Sequence, residues 1–331
     1  IEASCFRSCF YNPLPVDKPS NGLAINTTFL VTNEVEVNGT IGLVYPTVLA
    51  ASGPSILDLI VRENRLPSKI VMFDREERVE NFWRMVIDMM KKYDDKENFL
   101  NAFLEELVKN DQFYFLPYLK LNKSWNSKIL AEKYPKIYKK LLSKKRHLVA
   151  NSIKQFVERI SSNKSFLSNQ RDYLTIRNLA VADNLVFLRL DLLQLAEAKD
   201  TLQKLFQNQP IGLLYISNIR EHAELNAIDR AIKTGEDYSE ETDYALPLRQ
   251  SLASLGENGL ADHLTKVLST EIRLQGVLNT NNEYLKQKID TELTWTVEGL
   301  SEAFPTSEGF FKAFNYDKKE KERREILFEM Q

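Results

Sequence analysis

Apolar positions along this chain fall into two patterns. Short continuous runs at 44–50, 69–74, 185–190 and 211–216 are β-prone and end in charge, glycine or proline. Such runs fit strands buried on both faces. Between them, apolar residues recur at helical spacing. Ile56, Leu57, Leu59 and Ile60 follow the first run, and Phe82, Met85, Val86, Met89, Met90 and Tyr93 follow the second. Phe99, Leu100, Phe103, Leu104, Leu107 and Val108 repeat the spacing in a further helix. Residues 41–93 therefore spell strand–helix–strand–helix, the order that builds a parallel sheet through helical crossovers.

The pattern predicts an α/β, Rossmann-like fold: a mainly parallel sheet with flanking helices. The run at 44–50 should be central, with 69–74 on one side and 211–216 on the other. Residues 1–40 read as an N-terminal arm and 41–331 as one domain. Residues at about 111–175 interrupt the alternation and are strongly helical after Pro135. Compact α/β connections are much shorter, so this reads as a helical insertion, expected over the carboxyl ends of the strands. The third run, "NLVFLRLDLLQL", should end near Asp191. "AEAKDTLQKLF" is an amphipathic helix, "IGLLYISNI" a fourth strand, and 221–233 helical. Residues 243–270 read as mostly helical, broken at Gly256 and Gly259, and "TELTWTVE" at 291–298 as a late strand.

The turn "AASGP" after the first run is the chief candidate for chemistry. Ala51, Ser52 and Gly53 let a ligand approach main chain closely, and Pro54 suits a first helical position. Ligands of open parallel sheets bind outside the carboxyl ends of the strands, where strand order reverses. Asp74 ends the second run 21 residues after Gly53. An acid there can accept hydrogen bonds from both hydroxyls of an adenosine ribose, and it opposes a 2′-phosphate. A nucleoside-type ligand follows, with a solvated Asp74 awaiting it. A nicotinamide-type oxidoreductase is one alternative, although the G-x-G-x-x-G fingerprint is missing. The esterase motif G-x-S-x-G is missing too, because position 50 is Ala50.

"VLAASGPSILDLIVRENRLPSKIVMFD" resembles the first two motifs of class I S-adenosylmethionine-dependent methyltransferases. In style it is similar to the branch holding the betaine-lipid aminocarboxypropyl transferases. "LVFLRLDLLQL" resembles the third motif and "IGLLYISNI" the fourth. The resemblance implies S-adenosylmethionine as cofactor, Asp191 near the adenine, and Ser217 and Asn218 at the mouth of the site. It covers about 42–80 and 184–222. The glycine-rich loop is reduced to Ser52-Gly53, and Asp74-Arg75-Glu76 stands where that branch carries Asp-x-Asn. Ile219-Arg220 follows Asn218 in place of the Asn-Pro-Pro-aromatic motif, which disfavours amino methylation of bases or glutamine. Asn218 and His222, just past a strand end, are the candidate catalytic residues. Methyl transfer mainly requires an aligned nucleophile, and His222 can take a proton. Two readings stay open: a transferase moving a methyl or aminocarboxypropyl group to an unspecified acceptor, or a catalytically inactive relative serving as a binding or effector protein.

Charge and composition narrow the partners. The net charge is −2, so no global field attracts nucleic acid. The only local basic run is Lys133, Lys136, Lys139, Lys140, Lys144, Lys145 and Arg146, which reads as a solvated helix face. The acidic stretch 236–243 reads as a solvated loop. No apolar run is long enough to span a bilayer. Cys5 and Cys9 with three histidines form neither a disulfide framework nor a metal-ligand pattern. Sequons at Asn26, Asn38, Asn122 and Asn163 match chance in an asparagine-rich chain. The expected partner is a small-molecule cofactor, and the expected location cytoplasm or, for an effector, outside the producing cell.

Overall fold

The computed structural model describes residues 42–43, 45–63, 65–109, 126–144, 147–162, 165–217, 246–261, 266–269 and 294–296. Within them the chain forms an α/β, Rossmann-like fold. Strands β1 (Thr47–Ala51), β2 (Lys69–Asp74), β3 (Leu185–Arg189), β4 (Leu213–Ser217), β5 (Lys266–Ser269) and β6 (Thr294–Thr296) make one sheet. Their order is β3-β2-β1-β4-β5-β6. The first five run parallel, and β6 joins the edge antiparallel to β5. The central strand lies where its residues predict, with Leu49 opposite Val71 on one side and Leu214 on the other. All five residues of β1 are buried, as a strand covered by helices on both faces must be.

The helices are α1 (Pro54–Ile60), α2 (Glu77–Lys92), α3 (Lys96–Lys109), α4 (Lys128–Lys133), α5 (Pro135–Lys144), α6 (His147–Ser161), α7 (Gln170–Val181), α8 (Lys199–Phe206) and α9 (Leu246–Glu257). The right-handed crossover rule puts α1 and the helices between β2 and β3 on one face of the sheet. It puts α8 and α9 on the other. The face of α2 is rotated from the expected one. Phe82, Trp83, Val86, Ile87 and Met90 are buried, while Met85, Met89 and Tyr93 are half-buried. The six apolar residues named for α3 are all buried. Phe103 is the hub: its ring meets Phe82 edge-on, stacks on Phe99 and meets Phe156 of α6 edge-on.

The described part of the 111–175 stretch consists of α4, α5, α6 and the start of α7. These helices pack on α3 and on one another, and α7 packs on α2 and β3. They thicken the flank of the sheet. The segment 110–125, where the chain leaves α3, lies outside the described residues, as do residues 1–40, the stretch 221–233 expected to be helical and the acidic stretch.

Two element boundaries are corrected or refined. The stretch 243–270 is not helical throughout: α9 ends near Gly259, whose φ of 68° only glycine adopts freely, and "KVLS" forms β5. Four residues are too few for a strand pattern to register, and β5 exists because β4 offers it an edge. The third strand also stops sooner than expected. The chain leaves β3 after Arg189, and Asp191 already belongs to the turn beyond.

Candidate functional site

The site is built at the carboxyl ends of β1, β2, β3 and β4. From β1 the chain crosses through α1 to β2 on one side, while β4 lies on the other. The end of β1 is therefore the point where strand order reverses, the place at which open α/β sheets hold ligands. Ala51 is the last residue of β1 and lies opposite Phe73. The Ser52 N–H still donates to the Phe73 carbonyl at 2.8 Å. Gly53 then turns the chain into α1 with φ 157° and ψ 163°, a region that belongs almost wholly to glycine. Among the described residues no atom lies within 4 Å of a Cβ placed on Gly53, and with respect to them the turn is open on that side.

Asp74 ends β2 beside this turn. Its Oδ2 accepts from the Ser52 hydroxyl at 3.0 Å, and its Oδ1 accepts from the Glu76 backbone N–H at 2.9 Å. The sequence-based expectation of a solvated carboxylate is thereby corrected. Asp74 is half-buried and tied to both neighbouring turns, because the small Ser52 side chain brings its hydroxyl against the adjacent strand end. Burial pushes the Asp74 carboxyl up to about 6, against the opposing pull of the bonds from Glu76 and Ser52. A carboxylate offers about four lone-pair sites. Two are taken here, so room for a ligand hydroxyl remains.

Asp191 lies one strand further out, just beyond Leu190, whose N–H donates to the Asp74 carbonyl at 3.0 Å. Its Oδ1 accepts from the Leu193 N–H at 2.9 Å and caps the single 3-10 turn Leu192–Gln194. Arg75 reaches Asp191 at 4.0 Å. Arg189 donates to the Arg75 carbonyl at 3.3 Å and lies 3.8 Å from Glu77. A rim of charged pairs thus ties the ends of β2 and β3 together. Sequence reading did not single out Arg75, Glu77 and Arg189 as a unit, since pairing across strands shows only once register is known.

Ser217 is the last residue of β4 and lies opposite Ser269 of β5, past an irregularity that begins at Tyr215. Such irregularities re-aim strand ends and gather next to functional sites. Asn218 and His222 follow it and lie outside the described residues, as do Cys5 and Cys9. Of the predicted site residues, the structure thus joins Ala51, Ser52, Gly53 and Asp74 in one cluster. It sets Asp191 beside them and ends β4 at Ser217 on the other side of β1. Among the described residues no group of three His, Cys, Asp or Glu side chains gathers to hold a metal. No described helix is long and apolar enough to cross a membrane.

A second carboxylate, unmarked in the sequence reading, lies one turn into α1. Asp58 is buried, with Oδ2 accepting from Arg159 of α6 at 2.6 Å and Oδ1 from the Phe166 N–H at 2.7 Å. Burial raises its carboxyl above the usual range, against the pull of Arg159. The signal was present in "PSILDLI": one charge in a helix that is otherwise apolar all round needs a buried partner. Asp58 fastens the insertion to α1.

No curated protein matches the chain. A family described as a domain of unknown function (DUF7790) matches residues 60–230. That range takes in Asp74, Asp191, Ser217, Asn218 and His222, starts just after the Ser52–Gly53 turn, and spans more than half of the sequence: the chain belongs to this family.

Proposed function

We propose that this protein binds S-adenosylmethionine at the carboxyl ends of β1, β2 and β4 and is a transferase of its methyl or aminocarboxypropyl group. One observation carries the reading. The Ser52–Gly53 turn, at the point where strand order reverses, is left open above Gly53 by the described residues and flanked by a carboxylate with lone pairs to spare. Ala51, Ser52 and Gly53 would face the ligand with main chain, Asp74 would accept from the ribose hydroxyls, and Asp191 would border the adenine. Bound there, the cofactor supplies an electrophilic carbon attached to a sulfonium. The chain's own task is then positioning: Ser217 and Asn218 at the mouth of the site align the acceptor, and His222 takes the proton the acceptor loses.

A second reading draws on the bonds that Asp74 already makes. A carboxylate engaged by Ser52 and Glu76, beside a rim closed by Arg75–Asp191 and Arg189–Glu77, also suits an inactive relative that keeps the fold as a binding or effector protein.

Calorimetric titration with S-adenosylmethionine and S-adenosylhomocysteine separates the two. Binding of either by wild-type protein is expected, with Asp74→Ala weaker by about one to two decades. Hydrogen bonds to a charged group are worth about 1.5–3 kcal/mol, and about 1.4 kcal/mol is a factor of ten. The same variant should lose about 1–3 kcal/mol of stability in denaturant, because it strands the Ser52 hydroxyl and the Glu76 N–H. Affinity is therefore compared at a temperature where both proteins are folded. No binding at millimolar ligand would leave the inactive reading, and unchanged affinity in Asp74→Ala would remove Asp74 from the site.

A further inference from the structure

Where α6 and the 165–167 turn meet α1, α2 and α3 lies a cavity of about 10 Å³. Phe99, Phe103, Phe156 and Leu167 give it apolar walls, and Trp83 and Arg159 also line it. Trp83 is only 2% exposed, and its indole N–H has no acceptor among the described residues. The Arg159 Nε–H is buried and likewise lacks an acceptor there, although the other end of that guanidinium holds Asp58. Buried donors are almost always satisfied, by protein or by ordered water. Both residues that carry these donors line one small space, where an acceptor would serve them. Its size decides what kind: a space of about 10–15 Å³ admits one water and no organic ligand.

We propose that a single buried water occupies this cavity, accepting hydrogen bonds from the Trp83 indole N–H and the Arg159 Nε–H. Its two hydrogens face the surrounding aromatic rings, whose π-faces are weak acceptors. The water joins α2 to α6, so the inserted helices are held to the sheet flank by a polar bridge as well as by the Phe103 cluster and the Asp58–Arg159 pair.

Two measurements on the full chain test this. In the first, protein carrying 15N-tryptophan is examined for cross-peaks between water and the indole protons of its three tryptophans, with Trp83→Phe assigning the Trp83 signal. A persistent water cross-peak at the Trp83 indole, absent in the variant, is expected. In the second, a high-resolution crystal structure should show one water within about 3.2 Å of both nitrogens. A Trp83 indole without a water cross-peak, electron density without that water, or either nitrogen bonded to a protein acceptor would overturn the proposal.

Discussion

The two ends of the central strand β1 show how one residue type serves opposite purposes. At the amino end, Gly212 enters β4 beside Tyr45, and a Cβ there would lie 2.1 Å from the Tyr45 carbonyl oxygen. The Gly212 N–H donates to Thr47 through both its carbonyl, at 2.9 Å, and its hydroxyl, at 3.1 Å. Thr47, 1% exposed, donates its own hydroxyl hydrogen bond to the Pro210 carbonyl. Backbone and side chain are closed over one another with no space between. At the carboxyl end, Gly53 also lacks a side chain, yet no atom of the described residues lies within 4 Å of where one would be. There the glycine serves a turn, and no described residue fills the space above it. Packing seals one end of the strand and leaves the other accessible, which is why a ligand is sought at the second.

The sharpest way to break this comparison is Gly212→Ala. Its methyl meets a backbone oxygen and not the far end of a flexible side chain, so the β1–β4 pairing must shift. Overpacking of this kind costs about 1–3 kcal/mol and occasionally more. A loss at or above the top of that range is expected in urea unfolding. A variant as stable as wild type would mean that the amino end is not closed.

Gly53→Ala should have a smaller effect on stability and a larger one on ligand. The methyl finds room, so the cost is the backbone conformation alone, about 1–2 kcal/mol for a residue held where only glycine is at ease. In the proposed site, however, the methyl fills the space the cofactor needs. Titration should show S-adenosylmethionine affinity falling by about tenfold or more, a loss of about 1.4 kcal/mol or greater. Undiminished affinity would locate the ligand elsewhere, whatever became of Asp74.

The same contrast marks what the sequence could tell. Continuous apolar runs and the helices between them made the place of β1 between β2 and β4 readable, because a parallel sheet with right-handed crossovers leaves few arrangements. The Ser52–Gly53 turn was readable as a turn, since small residues between a strand and a proline-led helix have few other uses. The engagement of Asp74 was not readable: its partner Ser52 lies 22 positions away and comes within reach only through the β1–β2 register. The Asp58–Arg159 pair spans 101 positions and depends on how an insertion folds back. Strand β5 was missed for a related reason, since four residues with β4 as their template carry little pattern of their own. Local chemistry is written locally, and contacts between distant residues follow only from the fold.

The smallest expected effect is also the most selective, and it concerns charge at the open end. Asp74→Asn keeps the shape of the carboxyl. Its amide oxygen can still accept from the Glu76 N–H, and its amide N–H can donate to the Ser52 hydroxyl, which accepts as readily as it donates. What changes is titration. In the folded protein burial raises the Asp74 carboxyl from 3.8 to about 6. Between those values the folded state binds the proton more tightly than the unfolded state, so this group's contribution to stability falls as pH rises. Full below about pH 4, that contribution is lost by the time pH has passed about 6. Asp74→Asn has no charge to bury and escapes the loss. Its melting temperature relative to wild type should therefore be highest near pH 7.5, by a few degrees at most, and the advantage should shrink steadily as pH is lowered through 6 toward 4. The closed end supplies the control: neither Gly212 nor Thr47 titrates, so the deficit of Gly212→Ala should stay constant over the same range. A pH-independent difference between Asp74→Asn and wild type would show that Asp74 is freely solvated and that the bonds to Ser52 and Glu76 do not hold it in solution.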